Sequence, residues 1–201
     1  MFYSIEGNLI HKTHNFAVID AGGVGYKIYS TAPSLEAVGA VGSNAKMYTY
    51  LRVAEGIFDL YGFAAHEELN MFEMLLSVSG VGAKVAIAIL STISPSKFAL
   101  SVVTNDVNAI KQAPGVGPKV AQRIILELKD KFKGLSLEGM TASDALTQTQ
   151  TGDNDAAQAL MVLGYSQTEA MRALSGIDQS LGLEEIIKLA LKNLMRYSNL
   201  I

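Results

Sequence analysis

One ten-residue phrase occurs twice in the chain: Gly80-Val81-Gly82-Ala83-Lys84-Val85-Ala86-Ile87-Ala88-Ile89 and, 35 residues on, Gly115-Val116-Gly117-Pro118-Lys119-Val120-Ala121-Gln122-Arg123-Ile124. Both copies read G-V-G-x-K-V-A-x-x-I, and a repeat of that period marks one supersecondary unit used twice. Two glycines around one small apolar residue permit positive φ and the close approach of another backbone. The helix that starts after them has unpaired N–H groups and a positive dipole end, which together favour an anion. Lys84 and Lys119 fall in the first turn of that helix, where a cation is unfavourable unless an anion lies close. Pro118 suits the first helical position because it needs no N–H partner there. A plain helix-to-helix turn in a bundle would explain one copy. Two copies, each with lysine at the same offset, point to two clamps on nucleic-acid backbone that do not read bases.

The flanking sequence supplies the helices these turns need. Amphipathic runs precede them at Leu69 to Ser77 and Val107 to Gln112, and others follow at Ala83 to Leu90 and Pro118 to Lys133. Ser94-Pro95-Ser96 starts a further helix through Val103, and Asn105-Asp106 caps the next. Arg123, four residues after Lys119, shares its face, so the two can reach one phosphate track.

Upstream, residues 1–63 read as strands at Phe2 to Ile5, Phe16 to Asp20, Val24 to Tyr29, Lys46 to Leu51 and Ile57 to Tyr61. Ala21-Gly22-Gly23 makes a hairpin, and a longer irregular connection spans Ala32 to Gly42. Five short strands fit a closed barrel of the oligonucleotide-binding type or another small β-barrel or sandwich. Glu55-Gly56 forms a hairpin tip, where an acid is ordinarily just solvated. No helix pattern follows Gly22-Gly23-Val24-Gly25, so it is hairpin chemistry rather than a dinucleotide site. His11 and His14 have metal-like spacing but no third ligand in view, which favours surface polar residues.

Composition bounds the rest. A chain of 201 residues with 49% hydrophobic and 17% charged residues is a folded protein of one to three small domains. The absence of cysteine excludes disulfides and thiolate metal sites. With no leader pattern and no run near the roughly 20 apolar residues of a membrane span, a cytoplasmic protein without membrane contact is expected. The net charge of −3 is unevenly spread: residues 1–63 hold four Lys/Arg against five Asp/Glu, 64–134 eight against six, and 135–201 four against eight. Only the segment with the repeat is net positive, which suits grip on a few phosphates.

After Gly134 the sequence up to Gly152 has no Lys or Arg and is rich in Ser, Thr, Gln and Gly. It reads as a tether with a span on the order of 25 Å. The tail, 153–201, resumes helical periodicity: one helix ends at Leu163-Gly164-Tyr165, Ser166-Gln167-Thr168-Glu169 is a capping box opening a second, and a third runs from about Leu183 through Leu194. Three short helices make a small module suited to binding protein.

The chain has no G-x-x-x-x-G-K-[ST] loop, no G-x-S-x-G and no compact acidic cluster for two-metal chemistry. Catalytic residues, cofactors and metals are therefore not expected. A glycosylase or lyase built on the same hairpins could use Lys84 or Lys119 as a catalytic lysine, but their symmetric placement suits phosphate binding better.

Together, the barrel, the two G-V-G-x-K hairpins, Leu60-Tyr61-Gly62-Phe63, the L-K-D-K-F-K-G close at Leu128 to Gly134, the tether and the L-G-Y tail resemble the RuvA family of Holliday-junction-binding proteins. The resemblance covers the whole chain in order. It implies an α+β architecture of four parts: a five-stranded barrel of the oligonucleotide-binding type (1–63), a tandem helix-hairpin-helix domain (64–134), a flexible linker (135–152) and a three-helix motor-binding domain (153–201). It implies a homotetramer, or two tetramers face to face, holding a four-way junction open and flat, with a hexameric RuvB ATPase as motor and a RuvC resolvase as further partner. DNA contacts then fall at Gly80, Val81, Gly82, Lys84, Gly115, Val116, Gly117, Lys119 and Arg123. Glu55 becomes an acidic pin that repels phosphates at the crossover. The family pattern implies two adjacent acids there; here Gly56 follows Glu55 and the nearest other acid is Asp59, so a weaker central barrier is expected. Motor contact falls to Leu160, Leu163, Tyr165 and Leu191, although Leu163 and Leu191 would serve equally as core. Competing readings are a helix-hairpin-helix glycosylase or lyase and a single-strand DNA-binding module.

Overall fold

The computed structural model describes residues 2–138, 156–157, 159–161, 163, 165–178 and 180–198. Five strands, β1 (Ser4–Lys12), β2 (Phe16–Ala21), β3 (Val24–Tyr29), β4 (Asn44–Ala54) and β5 (Ile57–Phe63), close into a barrel in the order β1-β2-β3-β5-β4. Neighbours are antiparallel except β3 and β5, which run parallel through Ile28↔Leu60 and Tyr29↔Tyr61. This is the oligonucleotide-binding barrel rather than a sandwich. Side-chain alternation turns Leu9, Ala17, Ile19, Ile28, Met47 and Leu60 inward to form its core. A Cβ on Gly62 would lie 2.4 Å from Ile28 Cγ2, so glycine lets β5 press against β3.

The connection expected to be irregular contains a helix, α1 (Ala32–Ala37). Thr31 caps it by accepting from the Ser34 N–H, and proline occupies its first turn. Six residues are too few for a periodic pattern to show, which is why only this cap signalled it. Strands β1 and β4 also run longer than their apolar runs suggest.

The helical part comprises α2 (His66–Leu76), α3 (Ala83–Thr92), α4 (Pro95–Val103), α5 (Val107–Ile110) and α6 (Pro118–Glu138). Ser94 and Asp106 cap α4 and α5 as expected, through the Lys97 and Ala109 N–H groups. Helix α6 runs four residues beyond the expected start of the linker; 139–155, most of that linker, lie outside the described residues.

Barrel and helices meet through aromatic rings and one buried acid. Phe72 of α2 lies 4.9 Å from Phe63, 5.3 Å from Tyr61 and 5.6 Å from Tyr50, centroid to centroid. Glu68, buried on the same helix, accepts hydrogen bonds from the hydroxyls of Thr31 and Ser34 on the barrel side. Burial raises its pKa, and the two hydroxyls oppose the rise.

In the tail, α7 (Gln167–Leu174) opens on the expected capping box: Ser166 Oγ accepts from the Glu169 N–H, and Glu169 accepts from the Ser166 N–H at 2.8 Å. Helix α8 (Leu183–Ser198) packs against α4 and α7, and Asn193 Nδ2 donates to the Ala173 carbonyl at 2.9 Å. Among the described residues no single helix is long and apolar enough to cross a membrane.

Candidate nucleic-acid interface

Each repeated phrase folds into a helix-hairpin-helix turn, and the two agree bond for bond. In the first, the Val81 N–H donates to the Val78 carbonyl at 3.1 Å; in the second, the Val116 N–H donates to Ala113 at 3.1 Å. Gly80 has φ 82° and Gly115 φ 81°, the left-handed region that an L side chain rarely enters. Val81 and Val116 are buried and anchor the turns from beneath, while Lys84 and Lys119 are exposed.

Only the first glycine of each pair takes a positive φ. Gly82 has φ −96° and serves as N-cap of α3, with no side chain capping the orphan N–H groups. A Cβ on Gly82 or Gly117 would meet nothing within 4 Å. Neither backbone conformation at Gly82 nor packing within the chain demands glycine there, and the open space in front of a helix N-terminus suits the close approach of an anion.

Arg123 also makes a long-range contact within the chain. Its Nη1 donates to the Ser79 carbonyl at 3.3 Å, in the first hairpin, although Arg123 belongs to the helix that follows the second. Glu127, one turn further along α6, accepts from the Ser79 N–H at 3.1 Å. Sequence alone does not single out Ser79 or Glu127; the available signal is the four-residue spacing that puts Glu127 on the face of Arg123.

Away from the hairpins, β4 and β5 extend past the rest of the barrel as a two-stranded ribbon. Their pairing continues to Ala54↔Ile57, whereas β1 leaves β4 at Tyr48 and β3 leaves β5 at Leu60. Glu55 and Gly56 form its exposed tip, and Gly56 has φ 69°. The turn thus favours glycine at the position where a second acid was expected. Nearer the barrel, Asp59 lies opposite Arg52. His11 lies against Phe16, with ring centroids 5.7 Å apart.

Family descriptions match the chain in three consecutive blocks: the RuvA N terminal domain over residues 1–62, a SAM-like helix-hairpin-helix tandem over 72–130, and the RuvA C-terminal domain over 153–195. The chain is 46% identical over 201 residues to the Holliday junction branch migration complex subunit RuvA of Acetivibrio thermocellus, covering 98% of this chain and 100% of the relative. The protein of the same name from Ruminiclostridium cellulolyticum is 46% identical over 202 residues, covering 96% and 100%. The one from Symbiobacterium thermophilum is 40% identical over 204 residues, covering 98% and 100%. The chain belongs to the RuvA family.

Within this RuvA-family chain the tail positions expected to meet a motor are interior. Leu160, Leu163 and Leu191 are fully buried and Tyr165 is nine-tenths buried, in a core shared with α4. Burial pushes the Tyr165 hydroxyl up to about 12, and Ser96 is a polar neighbour that opposes the shift. Tyr165 and Glu169 also line a cavity of about 590 Å³ with Pro33, Glu67, Ser94 and Leu194, where barrel, helical body and tail converge. Glu67 is raised there by burial and then by the nearby Glu169, while Glu169 is lowered chiefly by the Ser166 hydroxyl.

Proposed function

We propose that the chain is a non-catalytic scaffold that binds four-way DNA junctions and holds them open and flat for branch migration in recombination and repair. The observation that carries this reading is the pair of matched hairpins, each offering open space at its second glycine and an exposed lysine at one offset, with bare helix N–H groups at the first. Such groups hold phosphate and ignore sequence. Selectivity for a junction then comes from arraying the clamps: in a tetramer, or two facing tetramers, two clamps per chain surround the crossover. The similar proteins are named as subunits of a Holliday junction branch migration complex.

The barrel, residues 1–63, forms the centre of that assembly, with the Glu55 ribbon tip at the crossover. One carboxylate per subunit repels the passing phosphates and so limits the migration rate. Residues 64–134 grip the arms. Residues 153–201, tethered by 135–152, recruit and stimulate a RuvB-type hexameric ATPase, which supplies ATP hydrolysis, and a RuvC-type resolvase acts on the held junction. Contact through Leu160, Leu163, Tyr165 or Leu191 requires these side chains to be uncovered first, since all four are buried in one apolar cluster.

The test compares binding to a four-way junction, linear duplex and single strand of matched sequence at equal salt. The reading expects the junction to bind far more tightly than either. Preference for single strand would favour a single-strand-binding module, and a borohydride-trapped lysine adduct on damaged DNA would favour a lyase.

A further inference from the structure

We propose that Arg123 and Glu127 of α6 belong functionally to the first hairpin: Glu127 positions it, and Arg123 adds its guanidinium to the phosphate site beside Lys84. Resting on the clamp reading above, the inference reassigns which clamp Arg123 serves. Carried on the helix of the second hairpin, Arg123 would by spacing alone be grouped with Lys119. Its Nη1 instead reaches the Ser79 carbonyl, 44 residues away in sequence, at 3.3 Å. The same atom is 3.3 Å from where a Cβ on Gly80 would stand, so the guanidinium lies directly against the first glycine turn. Glu127 Oε2 receives the Ser79 N–H at 3.1 Å. One peptide residue is thus held at both its polar groups by two side chains a helical turn apart. Hydrogen bonding to Ser79 occupies one of the five N–H donors of the guanidinium, and the exposed side chain has others to offer an incoming phosphate.

Among the described residues, the second hairpin has no such bracket. Applying the 35-residue repeat offset, the counterpart of Ser79 is Pro114, which has no N–H to donate. Arg123 corresponds to Ala88, which has no polar group, and Glu127 to Thr92, whose hydroxyl is bonded to the Ala88 carbonyl at 2.8 Å. The two clamps are therefore unequal: the first is a composite site with two cations and an external brace, the second a self-contained turn with one.

Double-mutant cycles on the full chain, read as junction affinity at fixed salt, test this. Groups sharing one site couple, whereas distant groups act independently. Arg123→Ala combined with Lys84→Ala should weaken binding by less than the product of the single effects; combined with Lys119→Ala, the effects should multiply. The reverse pattern would overturn the assignment of Arg123. No loss with either Lys84→Ala or Lys119→Ala would remove the clamps themselves, and the proposal with them. Glu127 supplies a test by sign. Loss of an acid beside DNA should strengthen binding if charge alone matters, but Glu127→Ala should weaken it about fivefold by freeing the hairpin. Glu127→Gln, which keeps an acceptor for the Ser79 N–H, should bind at least as tightly as the natural chain. Tighter binding by both variants, with unchanged thermal melting, would overturn the positioning role.

Discussion

The two hairpins share a 3.1 Å turn bond, a first glycine near φ 80°, a buried valine and an exposed lysine, yet their surroundings differ. The first follows an eleven-residue helix, α2, fixed to the barrel by Phe72 and by Glu68 with its two hydroxyl donors. Its Ser79 is also gripped by α6. The second follows α5, of four residues, and relies on the Asp106 cap before it and Pro118 after it. Matching local sequence produced matching turns, while how firmly each turn is held depends on residues far away along the chain.

The largest effect expected from this difference is on the paired glycine substitutions. A side chain at φ near 80° costs roughly 1–3 kcal/mol in either hairpin. At Gly80 it also presses on Arg123, whereas at Gly115 it meets nothing within 4 Å. Gly80→Ala should lower junction affinity on the order of 30-fold and Gly115→Ala about fivefold, as read by equilibrium titration. Equal losses would erase the distinction.

A smaller effect should follow at the root of the first hairpin. Glu68→Ala leaves the Thr31 and Ser34 hydroxyls without their acceptor and should cost roughly 1–3 kcal/mol of stability by denaturant unfolding. The pH dependence carries its own sign. Because burial raises the Glu68 pKa, the folded chain keeps a proton that the unfolded chain has released. The resulting stabilisation is full below the ordinary carboxyl value and is lost as pH rises through the raised one. Glu68→Gln should flatten that decline; an unchanged slope would show that Glu68 does not set it.

The smallest effect belongs to the second hairpin. Pro118 restricts the unfolded chain and presets the start of α6, so Pro118→Ala should lower stability by about 0.4–1 kcal/mol. Its counterpart in the first hairpin is alanine already, at Ala83. A loss of junction binding beyond that expected from stability would mean that the proline also shapes the clamp.

What could be read from sequence follows the range of the interactions. The hairpins, the Ser94 and Asp106 caps and the Ser166–Glu169 box each depend on residues within a few positions, and the structure bears them out. The barrel strands were legible from alternation, though α1 was too short to be seen. Arg123 was singled out for its charge and spacing, but its reach to Ser79 depends on how two helices pack. Glu68 precedes the amphipathic run at Leu69 to Ser77 and carries no sequence signal of its own; only the fold puts Thr31 and Ser34 around it. In the tail, the family resemblance marked Leu160, Leu163 and Leu191 without saying that the fold would bury them.

Hydroxyl-radical footprinting of a four-way junction bound to the full chain tests the central claim, backbone gripping by two clamps, most directly. The account predicts two separate stretches of protected backbone on each arm, unchanged when the arm sequences are exchanged. In Arg123→Ala, the stretch assigned to the first hairpin should weaken and the other persist. Protection that moved with base sequence, or a single stretch per arm, would contradict it.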